Sequence, residues 1–183
     1  AKYNLARVLL EYDEMDSINR GDIDRALQLL QEASAEGHTH ATIVLGVLSI
    51  SSDQRQKCGV ESNQLALDEQ RAYSFFEKAY SQLHDRDVPE IPEAALNLGV
   101  CVYFGIGTEG NQTRGEQLIR KAADASYPLA QMYMGWKYLS EGDKVASQYW
   151  FDLAREGDSD SIFEIEQFTG TECPTLLPLP GDK

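Results

Sequence analysis

Few residues of this chain have the types and spacing that chemistry requires. Gly105-x-Gly107-x-x-Gly110 has the spacing of a dinucleotide-binding loop, in which glycines bring the backbone close to a pyrophosphate. Such a loop must leave a strand and open a helix. Here it follows a helical stretch, so no cofactor is expected. His38 and His40 stand two residues apart, and His84 lies in a distant insertion. A metal site needs converging ligands backed by carboxylates, so none is expected. The chain contains no HExxH, GxSxG, P-loop or CxxC.

The remaining candidates have structural explanations. Cys58 falls in a loop, Cys173 in the tail, and Cys101 among Leu98, Val100 and Val102, where buried apolar packing is its expected state. A Cys58–Cys173 bridge would require an oxidising compartment. Asp22/Asp24 and Asp158/Asp160 each stand at a helix entrance, where capping and the helix dipole account for carboxylates without a glycosidase pair. Asn111-Gln112-Thr113 is a glycosylation sequon, relevant only in a eukaryotic secretory pathway. No catalytic residue is assigned, and no enzyme is expected. The alternative is a hydrolase with its site near the 51–67 loop or the histidines.

The elements that would position any site follow a grid of small residues. Ala1–Leu5–Ala6, Ala41–Leu45–Gly46, Ala94–Leu98–Gly99 and Ala130–Met134–Gly135 share one spacing. A second signature alternates with it: Ala26–Leu29–Ala33, Ala72–Phe75–Ala79, Gly115–Leu118–Ala122–Ala123 and Ala146–Tyr149–Ala154, closed at the eleventh step by Gly37, Ser126 or Gly157, with Leu83 the exception. Residues four apart share a helix face. Small ones let a neighbouring helix approach, and large ones fill the hollow beside it. Self-similarity at this period means stacked supersecondary units.

The string from Ala94 to Ala130, with AALNLG, Gly105-x-Gly107 and EQLIRKAADASYPLA, resembles one complete Sel-one-like repeat, a relative of the tetratricopeptide repeat. ALQLLQEASAEGHTHA, residues 26–41, is similar to the second helix and linker of that family. The first unit lacks the glycine after Leu5, the second has no Gly-x-Gly, and the fourth has a short interhelix loop. The resemblance implies an all-α, right-handed α/α solenoid of about four helix-pair repeats plus a C-terminal capping helix. It forms a single domain over 1–183, with repeats near 1–40, 41–93, 94–129 and 130–158, a cap at 159–169 and a Pro-rich tail at 170–183. Some bacterial members carry a regular cysteine pair in each repeat, with penicillin binding or hydrolysis attributed to them. This chain lacks those pairs, and the activity is not carried over.

Helices are expected near 2–12, 22–35, 40–50, 68–83, 92–104, 113–126, 129–140, 144–156 and 159–168. Asp22 or Asp24 would cap the second, and Gly37 would stop it. The polar connection 51–67 is longer than the family norm, which makes it a candidate functional loop. No apolar run approaches the roughly 20 residues that span a bilayer. No cleavable signal peptide is visible, and the compartment stays open between bacterial periplasm and cytoplasm.

The formal charge is −14, divided evenly between the halves. Such a field suits a soluble chain and a partner with a basic surface. It disfavours nucleic acid, whose backbone needs clustered Lys and Arg. What the resemblance then implies is a protein-binding scaffold whose first helices line a concave face. With Ala, Leu and Gly assigned to packing, the outward positions would be Tyr3, Arg7, Glu11, Asn97, Tyr103, Tyr133, Trp136 and Lys137, and Tyr and Trp are enriched at interface hot spots. The roles in view are an immunity or inhibitor protein of a secreted bacterial toxin or enzyme, an assembly adaptor, or a host-directed effector. The chain is expected to be a monomer before it binds its partner.

Overall fold

The computed structural model describes residues 1–10, 20–51, 64–84 and 92–157. Among these residues there are eight α-helices and no strand: α1 (Lys2–Leu10), α2 (Arg20–Ala35), α3 (Thr39–Ile50), α4 (Glu69–His84), α5 (Pro92–Phe104), α6 (Gln112–Asp124), α7 (Pro128–Ser140) and α8 (Lys144–Gly157). They form four pairs, α1/α2, α3/α4, α5/α6 and α7/α8, and the fold is an all-α repeat solenoid. The expected cap at 159–169, the tail, Glu11, Cys58, Cys173, Asp158 and Asp160 lie outside the described residues.

The chain divides into two compact units, Ala1–Glu90 with Ile106–Thr108, and Ile91–Gly105 with Glu109–Lys183. In the first, α1, α2 and α3 share a core of Ala6, Leu27, Leu30, Leu45 and Leu48, which Leu65 joins from the connection before α4. Leu65, and the hydrogen bond from Gln64 Nε2 to Asp24 at 2.8 Å, pin the end of the long connection to the core. In the second unit α6 packs on both α5 and α7, and α7 on α8.

The two helix types differ in character. First helices α3 and α5 are apolar nearly all round, and α5 has nine consecutive buried residues, Ala94 to Val102. A helix apolar on every side must be covered on every side. Second helices are amphipathic and turn their charges to solvent. The glycine grid marks real close approaches. A Cβ on Gly46 would stand 2.6 Å from the Phe76 ring, one on Gly135 2.6 Å from Phe151, and one on Gly99 2.9 Å from Ile119.

Helix ends follow local chemistry. Gly37 adopts φ 86°, the His38 amide donates to Ala33 O at 2.9 Å, and the Gly37 amide donates to Ser34 O at 3.2 Å. This is a Schellman stop, which needs a left-handed residue. Ser126, φ 62°, makes the equivalent stop after α6, with Tyr127 N to Ala122 O at 3.2 Å. Helix α2 starts at Arg20, so Asp22 lies in its first turn instead of capping it. Cys101 is buried within α5.

Candidate partner-binding surface

Of the residues expected on the recognition face, four gather in the second unit. Tyr103 near the end of α5 and Tyr133 and Lys137 of α7 line one small pocket with Glu116, Ile119 and Met134, with room for about one water. Trp136, also on α7, does not line the pocket; it is half-buried, edge-on to Phe151 of α8 with ring centroids 5.3 Å apart. Its indole Nε1 is buried without a hydrogen-bond partner.

The charged rim is a linked network. Lys137 Nζ lies 3.1 Å from Glu116 and 3.1 Å from Glu141, and 4.7 Å from the Tyr138 ring centroid. Glu116 also approaches Arg120 at 3.8 Å, and Arg120 donates to the Tyr138 hydroxyl. The Arg120 guanidinium lies between two aromatic rings, 5.9 Å from Tyr138 and 5.9 Å from Trp150, a cation–π geometry. Burial pulls the Lys137 pKa down, but hydrogen bonds to Glu141 and Glu116, with their charges, outweigh it and leave it above the ordinary lysine value. An ammonium held this way stays protonated and serves as a contact, not as a nucleophile, which requires a depressed pKa.

Two expected residues are placed differently. Asn97 and Tyr133 are buried, not outward; Asn97 donates through Nδ2 to Glu93 O at 2.9 Å. Both lie mid-helix, where neighbouring helices leave no open side. Tyr3 and Arg7 belong to the first unit. Tyr3 is half-buried and stacks on His38 at 4.5 Å, with His40 at 6.1 Å. Arg7 is exposed.

The histidines have a structural role that sequence reasoning missed. His38 caps α3, its Nδ1 accepting from the Ala41 amide at 3.3 Å. Burial, then the charges of His40 and of the N-terminal amine, hold its pKa below the usual histidine value. Among the described residues no group of three or more His, Cys, Asp or Glu is arranged to hold a metal ion. Gly105 (φ 74°) and Gly107 (φ 66°) follow α5, not a strand. Asn111 of the sequon caps α6, accepting from the Arg114 amide at 2.9 Å. None of the described helices is long and apolar enough to cross a membrane.

The Sel1 repeat matches residues 1–38, 60–82 and 92–127, together just over half of the chain. The chain belongs to the Sel1 repeat family. It is similar to the solved structure of a Sel1 repeat protein from Oxalobacter formigenes, at 26% identity and TM-score 0.55 over 72% of this chain and 91% of that one. A protective antigen present in uropathogenic Escherichia coli strains, displaying an SLR fold, matches 92% of this chain at 21% identity and TM-score 0.62. This chain covers 33% of that one, and the likeness shows the fold. Sel1 repeats are, in general, protein-interaction scaffolds.

Proposed function

We propose that this Sel1 repeat chain is a non-catalytic scaffold that binds a protein partner with a basic surface through the second unit. The observation carrying the proposal is the meeting of Tyr103 and Lys137 at one small pocket with Glu116, with Trp136 half-buried against Phe151 one residue before Lys137 on α7. Aromatic bodies with polar handles and an ordered cation are the side chains that dominate interface energetics. The pocket's size, about one water, is far below the roughly 300–1,000 Å³ of small-molecule sites, which favours a surface contact. The net charge of −14 favours a basic partner and fast, salt-sensitive association. Among scaffolds, an immunity or inhibitor protein that covers the basic cleft of a secreted toxin or enzyme fits that charge best.

The test is retention by the immobilised chain at low and moderate salt, run in parallel with the Tyr103→Ala/Trp136→Ala variant. One dominant basic enzyme, inactivated on binding and lost with the variant while helicity is kept, is the expected result. Several components of one complex would make the chain an adaptor instead. Equal retention by the variant, or a partner without a basic surface, overturns the proposal.

A further inference from the structure

Gly105-x-Gly107 has no part in the proposed partner surface, and the structure gives it another task. Residues Ile106–Thr108 follow α5 in sequence, yet they pack within the first unit. There Gly107 lies against the first turn of α4. A Cβ on Gly107 would run into the Glu69 carbonyl group and stand 2.8 Å from Gln70 N. These are backbone atoms, so no rotamer change clears the space. Gly107 also holds φ 66°, which a residue with a Cβ adopts only under strain.

Reversing the chain after a first helix needs the positive φ but not the contact. Gly142, in the turn after α7, has φ 82° and nothing within 4 Å of its Cβ position. The starts of α4 and α6 are capped alike. Asp68 Oδ1 accepts from the Arg71 amide at 3.0 Å, and Asp68 O from the Ala72 amide at 3.0 Å. Before α6, Asn111 Oδ1 accepts from the Arg114 amide at 2.9 Å, and Asn111 O from the Gly115 amide at 2.9 Å. The start of α4 carries in addition the backbone of Gly107. The long connection returns to the frame at this same point, where Leu65 is buried and the Asp68 amide donates to Ser49 O at 2.8 Å.

We infer that the turn at Gly107 is a strap across the first turn of α4, fixing that turn and the returning end of the connection. A helix start usually frays, because its first amides have few partners and little packing over them. Backbone laid across the turn takes away the room it needs to open. The strap acts locally: losing it loosens residues 68–72 before any global unfolding.

Amide hydrogen exchange of the full chain, read residue by residue, tests the strap. In the parent, the Arg71 and Ala72 amides should be protected at least about tenfold more strongly than Arg114 and Gly115, the equally capped pair of α6. Gly107→Ala should erase that difference. Gly142→Ala, which has the φ strain without the contact, should leave it. Two cap variants decide the matter where Gly107→Ala does not fold. With α4 held from outside, Asp68→Ala should speed exchange at Ala72 less than Asn111→Ala speeds it at Gly115. Equal protection of the two helix starts in the parent overturns the inference. So does a difference that survives Gly107→Ala, one that Gly142→Ala erases as well, or equal effects of the two cap variants.

Discussion

The closest backbone approach marked by the small-residue grid is testable with one methyl group. Gly115 in the first turn of α6 faces α5, and a Cβ there would lie 2.6 Å from Tyr103 Cα, Cβ and N. Carbon atoms pack at about 3.5–4.0 Å, so α5 and α6 would have to separate by about 1 Å. Two of the three obstructing atoms are backbone, so no rotamer change relieves the clash. Overpacking of this kind costs about 1–3 kcal/mol, and the upper end applies where no side chain can give way. Against it stands the helix preference of Ala over Gly, worth about 1 kcal/mol. The net expectation for Gly115→Ala is a loss of about 2 kcal/mol, or about 4–8 °C in Tm for a chain of this size. Urea unfolding followed by helical circular dichroism measures it as a lower midpoint at unchanged slope. Gly110→Ala is the control, because its nearest neighbour would be 3.6 Å away, an ordinary contact. Gly135→Ala should fall between the two, since the half-buried Phe151 ring can swing. A Gly115→Ala chain as stable as the parent, or more so, would refute the reasoning that this contact is rigid.

Other perturbations have a definite sign. Ser126 holds φ 62°, a conformation costing a non-glycine residue about 1–2 kcal/mol; Ser126→Gly should raise stability by about 1 kcal/mol in thermal melts, offset in part by glycine's chain entropy. Folding holds the His38 pKa below its free value of about 6.5, so the neutral cap stabilises fully above that pH. Its contribution is lost as pH falls through the lower folded value, when Nδ1 gains a proton and can no longer accept from Ala41. His38→Asn keeps a cap acceptor without a proton to gain, and the acid-side fall in Tm should flatten. Lys137→Met removes the ammonium shared by Glu116 and Glu141, leaving Glu116 only its looser approach to Arg120, and should cost about 1 kcal/mol, toward the value for exposed pairs. A double-mutant cycle with Glu116→Gln should return a coupling of about 1 kcal/mol, and a coupling near zero would mean that the 3.1 Å contact is solvent-screened.

Helix positions were legible because the small residues do two jobs at once. A glycine or alanine that lets another helix approach also fixes which face meets it. The spacing Ala94–Leu98–Gly99 therefore carries both the helix and its partner side. The described helices accordingly start and stop within about two residues of the expected bounds. The stop at Ser126 was legible from its register with Gly37, although serine is a poor left-handed residue. The histidine cap was not, because sequence spacing cannot say that His38 Nδ1 turns back onto the Ala41 amide.

The burial of the candidate recognition residues was only half legible, for a reason that separates the two kinds of helix. Subtracting Ala, Leu and Gly from a first helix leaves intervening positions that look outward, as on any amphipathic helix. THATIVLGVLSI has no charged side chain, and PEAALNLGVCVYF has Glu93 alone, which is the signal that these helices are enclosed. Asn97 and Tyr133 lie mid-helix and are buried accordingly, whereas Tyr103, Trp136 and Lys137 lie in the C-terminal halves of α5 and α7 and are partly exposed. The polar partners that complete the cluster, Glu116 and Arg120, come from α6 and form an i,i+4 pair that its amphipathic pattern offered. In an array whose first helices are consumed by packing, side chains that choose a partner have two places to stand. These are the last turns of first helices and the solvent face of second ones, and substitutions there should alter binding while leaving the helices intact.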